Sequence, residues 1–159
     1  MLAIVFLAGC TSKGPEYFED EFVSIPKRSD FRFEKMDYPK IGKCIHITQK
    51  DSTIEQFVIG FALADSSLSM DLIARFTAEN SAGYEVLKEY AFDKFGAYPS
   101  RTKFYALGNP EKNHKKNLVT HHIMGTGKIL TVLSISAFDA PDPDFWDGLR
   151  EWSADWRIK

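Results

Sequence analysis

From residue 22 to residue 138 the chain is dominated by short alternations of apolar and polar residues. Phe22-Val23-Ser24-Ile25-Pro26 predicts a brief strand stopped by its proline. Phe31 to Lys35 alternates aromatic and charged positions and predicts a second strand or turn segment. The β-branched Ile45, Ile47 and Thr48 predict a strand over 43–49, Asp51-Ser52 a turn, and 56–63 the strand that completes a hairpin. Phe57 to Leu63 is apolar on both faces, which predicts an interior place in a sheet.

One helix is predicted in mid-chain. Ser66, Ser67 and Ser69 offer caps before Met70 to Asn80, and Leu72, Ile73 and Phe76 fall on one face at helical spacing. Tyr84 to Phe92 fits either period. Its aromatic and β-branched content favours a strand, with Gly96 and Pro99 turning the chain into a partner at 101–107. Residues 108–117 predict a polar, basic loop. Two strong strands follow at 118–124 and 129–138, joined through Gly125-Thr126-Gly127-Lys128. The chain should close on a helix: Asp142 is its cap, Pro143 its first residue, and Phe145, Leu149, Trp152 and Trp156 its buried face.

The chain has 159 residues, 44% hydrophobic and 14% aromatic, which suits one domain with one core. Twenty basic and 22 acidic residues leave a charge of −2, unlike the basic footprint of a nucleic-acid binder, so no nucleic acid is expected as a partner. There are two cysteines, Cys10 and Cys44.

Met1 to Gly9 is an unbroken apolar run, about 14 Å long as a helix and too short to cross a bilayer. It ends in Leu7-Ala8-Gly9-Cys10. This resembles the lipobox of bacterial lipoprotein signal peptides, although no Lys or Arg precedes the core. The resemblance implies a signal peptide at 1–9, a lipidated Cys10 with a tether to residue 20, and a globular domain over 21–159. Two or three acyl chains on Cys10 would give stable membrane attachment. Thr11, rather than aspartate, after the cysteine favours the outer membrane where there are two. With Cys10 lipidated, Cys44 has no partner for an intramolecular disulfide and is expected to be buried and inert.

Phe22 to Pro26, the helix from Met70, Gly83-Tyr84-Glu85-Val86, Gly96, Arg101 to Leu107 and the closing helix follow one another in an order similar to the PsbP and Mog1-like family, including small DcrB-type lipoproteins. The resemblance implies an α+β fold, an α/β/α sandwich around an antiparallel sheet. Members act mostly as accessory or interaction proteins, with no shared catalytic motif to carry over.

The candidate chemistry is sparse. Cys44 and His46 share a strand face, and one of His121 or His122 could join them, but a metal site needs more converging ligands. One surface and one core-edge histidine are expected instead, and no metal or cofactor. Gly125 to Lys128 lacks the glycine and hydroxyl positions of a phosphate-binding loop, since His122 and Ile129 stand there. Ser134 and Ser136 lie outside any nucleophile elbow. Asp139, Asp142, Asp144 and Asp147 read as capping residues. Lys112, His114, Lys115 and Lys116 form a loop that could meet anionic headgroups or an acidic partner. Trp146 cannot share the narrow stripe of Trp152 and is the candidate for a partner surface. The expectation is a lipid-anchored, non-catalytic binding or accessory module of the envelope with a possible protein partner. An envelope hydrolase and a metal-binding lipoprotein are the alternatives.

Overall fold

The computed structural model describes residues 14–50, 54–137 and 150–159. Cys10, the Asp51-Ser52 turn, the acidic cluster at 139–147 and Trp146 lie outside them. Ten strands run in order: β1 Tyr17–Glu19, β2 Val23–Pro26, β3 Phe31–Tyr38, β4 Gly42–Gln49, β5 Ile54–Ala62, β6 Glu85–Phe95, β7 Tyr98–Asn109, β8 His114–Met124, β9 Lys128–Ser136 and β10 Arg157–Ile158. Helix α1, Ser66–Ser81, falls between β5 and β6.

Seven strands make an antiparallel sheet in the order β3-β4-β5-β9-β8-β7-β6, and β1-β2-β10 make a small second sheet. The hairpin of β4 and β5 and the tight turn at Gly125 to Lys128 form where the alternation predicts them. Tyr84 to Phe92 resolves as a strand: β6 pairs with β7 through two register irregularities. The apolar β5 is interior, with Phe57 and Ile59 facing one side and Val58 the other.

Helix α1 covers one face of the sheet. Leu72 and Phe76 pack there on Phe57, Ile59, Leu107, Leu118 and Leu133. The other face is covered by the small sheet through Val23 and Ile25, together with Trp152 and Trp156. Among the described residues this is therefore a mainly antiparallel β fold with one long helix, not the expected α/β/α sandwich. Aromatic bulk supplies what a second helical layer would have buried: Trp152 stacks on Phe31 at 5.1 Å and meets Trp156 edge-on at 5.3 Å.

Strand β1 pairs with β2, and Phe18 stacks on Phe33 at 5.4 Å. Two further expectations are corrected. The expected loop at 108–117 is mostly strand: β7 runs to Asn109 and β8 starts at His114, leaving a four-residue turn. The closing helix is seen at residues 150–154 and has ended before Trp156, which leads into β10. Trp156 is buried all the same.

Two close approaches shape the aromatic side. The Phe22 ring lies over Gly60, where a Cβ would come within 1.9 Å of its Cγ. Trp152 Nε1 donates to the Pro26 carbonyl at 2.7 Å, joining the end of the chain to the small sheet.

Candidate functional site: the cleft beside helix α1 and the histidines

The turn between β3 and β4 leans toward the C-terminal half of α1. Lys40 and Gly42 take left-handed backbone angles (φ 70° and 88°), which fold the turn tightly. Arg75 Nη2 donates to the Lys40 carbonyl at 2.5 Å, and Lys40 approaches Glu79 at 3.4 Å. Beneath this bridge is a cleft of about 500 Å³. Its floor is apolar, with Tyr38, Ile41, Phe57, Leu72, Phe76 and Ile135, and Glu55, Arg75 and Glu79 stand at its rim. A volume of this order suits a small ligand or one anchoring side chain.

His46 adjoins this cleft. Its Nε2 lies 2.7 Å from Glu55 Oε1, and its ring stacks on Phe57 at 5.0 Å. Cys44 shares the face, as expected, and is buried, with desolvation raising its thiol pKa. A buried protonated thiol is a poor nucleophile and a poor metal ligand.

His121 and His122 do turn to opposite faces. His121 shares a 2.8 Å hydrogen bond with Thr102 Oγ1 on the aromatic side and meets the Phe95 ring at 4.9 Å. Burial lowers its pKa to about 3, so the ring is neutral. His122 faces α1. Its Nδ1 lies 2.7 Å from Ser69 Oγ, which also lies 2.7 Å from Thr131 Oγ1. Burial and then the charge of Arg101 lower its pKa. The expected surface histidine is thus not found in this pair; each is held within the packing of its own face. Cys44, His46 and His121 are not brought together, and no group of three potential metal ligands forms among the described residues.

A serine bonded to an imidazole resembles an activated nucleophile. Ser69, however, is 0% exposed, so no substrate reaches its hydroxyl in this arrangement. The triad instead ties α1 to β8 and β9. Ser69 is not the cap its position suggests, because α1 begins at Ser66 and Ser69 is buried. The cleft went unseen for another reason: its lining comes from β3, β5, α1 and β9, and no local spacing joins those segments.

The remaining candidates are structural. Ser134 accepts from Gln56 Nε2 at 3.1 Å, and Ser136 is buried. Gly125 to Lys128 is a turn, with the Gly125 amide bonded to the Lys128 carbonyl at 2.9 Å. His114 meets the Tyr84 hydroxyl at 2.9 Å, and Lys116 sits 4.0 Å over the Tyr84 ring. No described helix is long and apolar enough to cross a membrane.

No family model matches the chain, and no curated protein matches it in sequence. Its fold is shared with LpqN, involved in cell envelope biogenesis of Mycobacterium tuberculosis. The two chains are 11% identical with a TM-score of 0.50, over 94% of this chain and 87% of LpqN. At that identity the likeness speaks for the fold alone.

Proposed function

We propose that the chain is a lipid-anchored protein of the cell envelope that binds a partner or ligand rather than transforming one. The cleft beside α1 carries this reading: an apolar floor with a charged rim offers purchase and orientation. Cys44, His121 and His122, whose acid–base behaviour burial displaces, do not line it. The lipobox at Leu7 to Cys10 supports the anchor, and the fold shared with an envelope-biogenesis protein agrees with the compartment. Attachment is to the outer membrane where there are two, and an accessory role is what the PsbP and Mog1-like resemblance implies.

Two measurements test it. Cells fed an alkyne fatty acid should mark the wild type and leave Cys10→Ser unmarked; an unmarked wild type overturns the anchor. A photo-crosslinking residue at Glu79, on the cleft rim, should give one defined adduct in native membranes. Hydrolysis of ester probes that disappears in His46→Gln would overturn the binding reading in favour of an envelope hydrolase.

A further inference from the structure

Strand β6 ends the large sheet on one side, so among the described residues no strand lies along its outer amide and carbonyl groups. It is exposed from Glu85 to Lys94, with Val86, Leu87, Tyr90 and Phe92 about half exposed. An open edge of this kind is a template for another strand unless charges or a cover blunt it. The opposite edge is blunted. Strand β3 alternates charged residues with Phe31 and Phe33, and Trp152 and Phe18 stack on those two rings. Strand β6 has no such cover, and the placing of its own charges decides which strand it can accept.

The regular run of β6 is Lys88 to Phe92, paired residue for residue with Ala106 to Thr102 and flanked on each side by a register irregularity. Tyr90 is the midpoint of this run and of the whole strand. In a symmetric antiparallel pair of identical strands the two-fold axis passes through the sheet, and the residue at the axis stands opposite its own copy. With Tyr90 at the axis, Lys88 faces Phe92 twice and Glu89 faces Ala91 twice. Continued outward, Asp93 faces Leu87, Lys94 faces Val86 and Glu85 faces Phe95. No like charges are directly opposed. Moving the axis to Glu89 sets that glutamate against its own copy, and moving it to Ala91 sets Glu89 against Asp93. Like charges directly opposite destabilise a strand pair.

The residues brought together also suit one another. Lys88, Tyr90 and Phe92 share a face: Tyr90 meets Phe104 at 5.7 Å, and Thr102, opposite Phe92, bonds His121. Pairing about Tyr90 stacks tyrosine beside tyrosine and brings each Lys88 ammonium to the Phe92 ring of the other copy. On the other face Glu89 is already matched by Lys103 at 3.2 Å. The axis keeps the same face of both sheets on one side. Strand β1, near the start of the described chain, lies on that face through Phe18, so two anchored chains can pair within one membrane. The cleft lies toward the β3 edge and stays open in both copies.

We propose that β6 is the contact with a second copy of this chain, the two strands pairing antiparallel about Tyr90 and joining the large sheets edge to edge. The contact is separate from the cleft and goes beyond the reading given for it.

The test uses the lipidated full chain at low density in phosphatidylcholine vesicles, with a short bis-maleimide as cross-linker. Directly opposite residues have Cβ atoms about 4.5–5.5 Å apart, so Tyr90→Cys should give a cross-linked dimer. Glu34→Cys on the opposite edge measures random collision, and both variants carry the same buried Cys44. The yield at 90 should exceed that at 34 by at least about fivefold. Adding Phe92→Lys opposes two lysine pairs and should lower the yield at 90 by at least about threefold. Adding Lys88→Glu to that chain opposes glutamate to lysine and should restore it. Both positions are exposed, and denaturant unfolding of each dilute variant checks that its fold is kept. Equal yields at 90 and 34 overturn the proposal. So does a yield at 90 that Phe92→Lys leaves unchanged or that Lys88→Glu fails to restore. Capture of a different protein at 90 in native membranes, with no dimer, overturns the second copy as the partner.

Discussion

His121 and His122 are neighbours in sequence and inhabit the two different sides of one sheet. On the side of His121 the cover is aromatic: Phe95, Trp152 and Trp156 close over the strands with the small second sheet. On the side of His122 the cover is one helix, held by the Ser69–His122–Thr131 hydrogen bonds at one place and open as a cleft at another. The first side gains stability from bulk and stacking, the second from a few directed polar contacts that leave room for something else to bind. The open cleft belongs to the side with the lighter cover.

Removing the aromatic cover should cost most. Trp152→Ala deletes a buried indole, its stacking on Phe31 and its bond to Pro26, and is expected to lower unfolding free energy by about 3–5 kcal/mol in denaturant titration. On the helix side, Ser69→Ala leaves His122 and Thr131 without their shared partner at a cost of about 1–3 kcal/mol. A loss for Ser69→Ala as large as that for Trp152→Ala would erase the contrast between the sides.

Acid separates the two sides next. The unfolded chain protonates His121 near pH 6.5, whereas the folded chain resists until about 3. Between those values the unfolded state binds more protons, so stability present above pH 6.5 is lost as pH falls toward 3, at up to about 1.4 kcal/mol per pH unit. His121→Gln should flatten that slope in chemical denaturation at stepped pH. His122 contributes with the same sign, but His122→Gln also breaks the Ser69 contact and should lower stability at neutral pH.

The smallest effect is expected where neither cover reaches. Strand β6 forms an edge of the sheet, and Val86, Leu87, Tyr90 and Phe92 are each about half exposed along it. Phe92→Thr should change stability by no more than about 0.5 kcal/mol. The opposite edge, β3, carries the charged Arg32, Glu34, Lys35 and Asp37 between its apolar positions and buries Phe31 under Trp152.

Much of this division was legible in the chain. Alternation marked the hairpins, and Leu72 with Phe76 marked the buried stripe of α1. The nature of the second cover was not legible, because Val23, Ile25, Trp152 and Trp156 are far apart in sequence and meet only after the chain closes. The polarity of the basic segment 108–117 predicts a loop, yet its strand residues draw their order from pairing across the sheet, as Leu107 with Lys116 shows. Adjacent histidines on a strand must face opposite ways, and that much was certain from the alternation of side chains. What each would meet depended on tertiary packing.

The Phe22 ring lying on Gly60 constrains how this protein can diverge. A methyl at position 60 collides with the ring, so Gly60→Ala can be accommodated only if the ring shifts or a smaller side chain already stands at 22. The reverse change faces no such collision, and Phe22→Leu leaves glycine in place with some packing lost. The two sites are thus coupled in evolutionary time. A descendant bearing a side chain at 60 should carry either a smaller residue at 22 or an aromatic ring there moved off position 60.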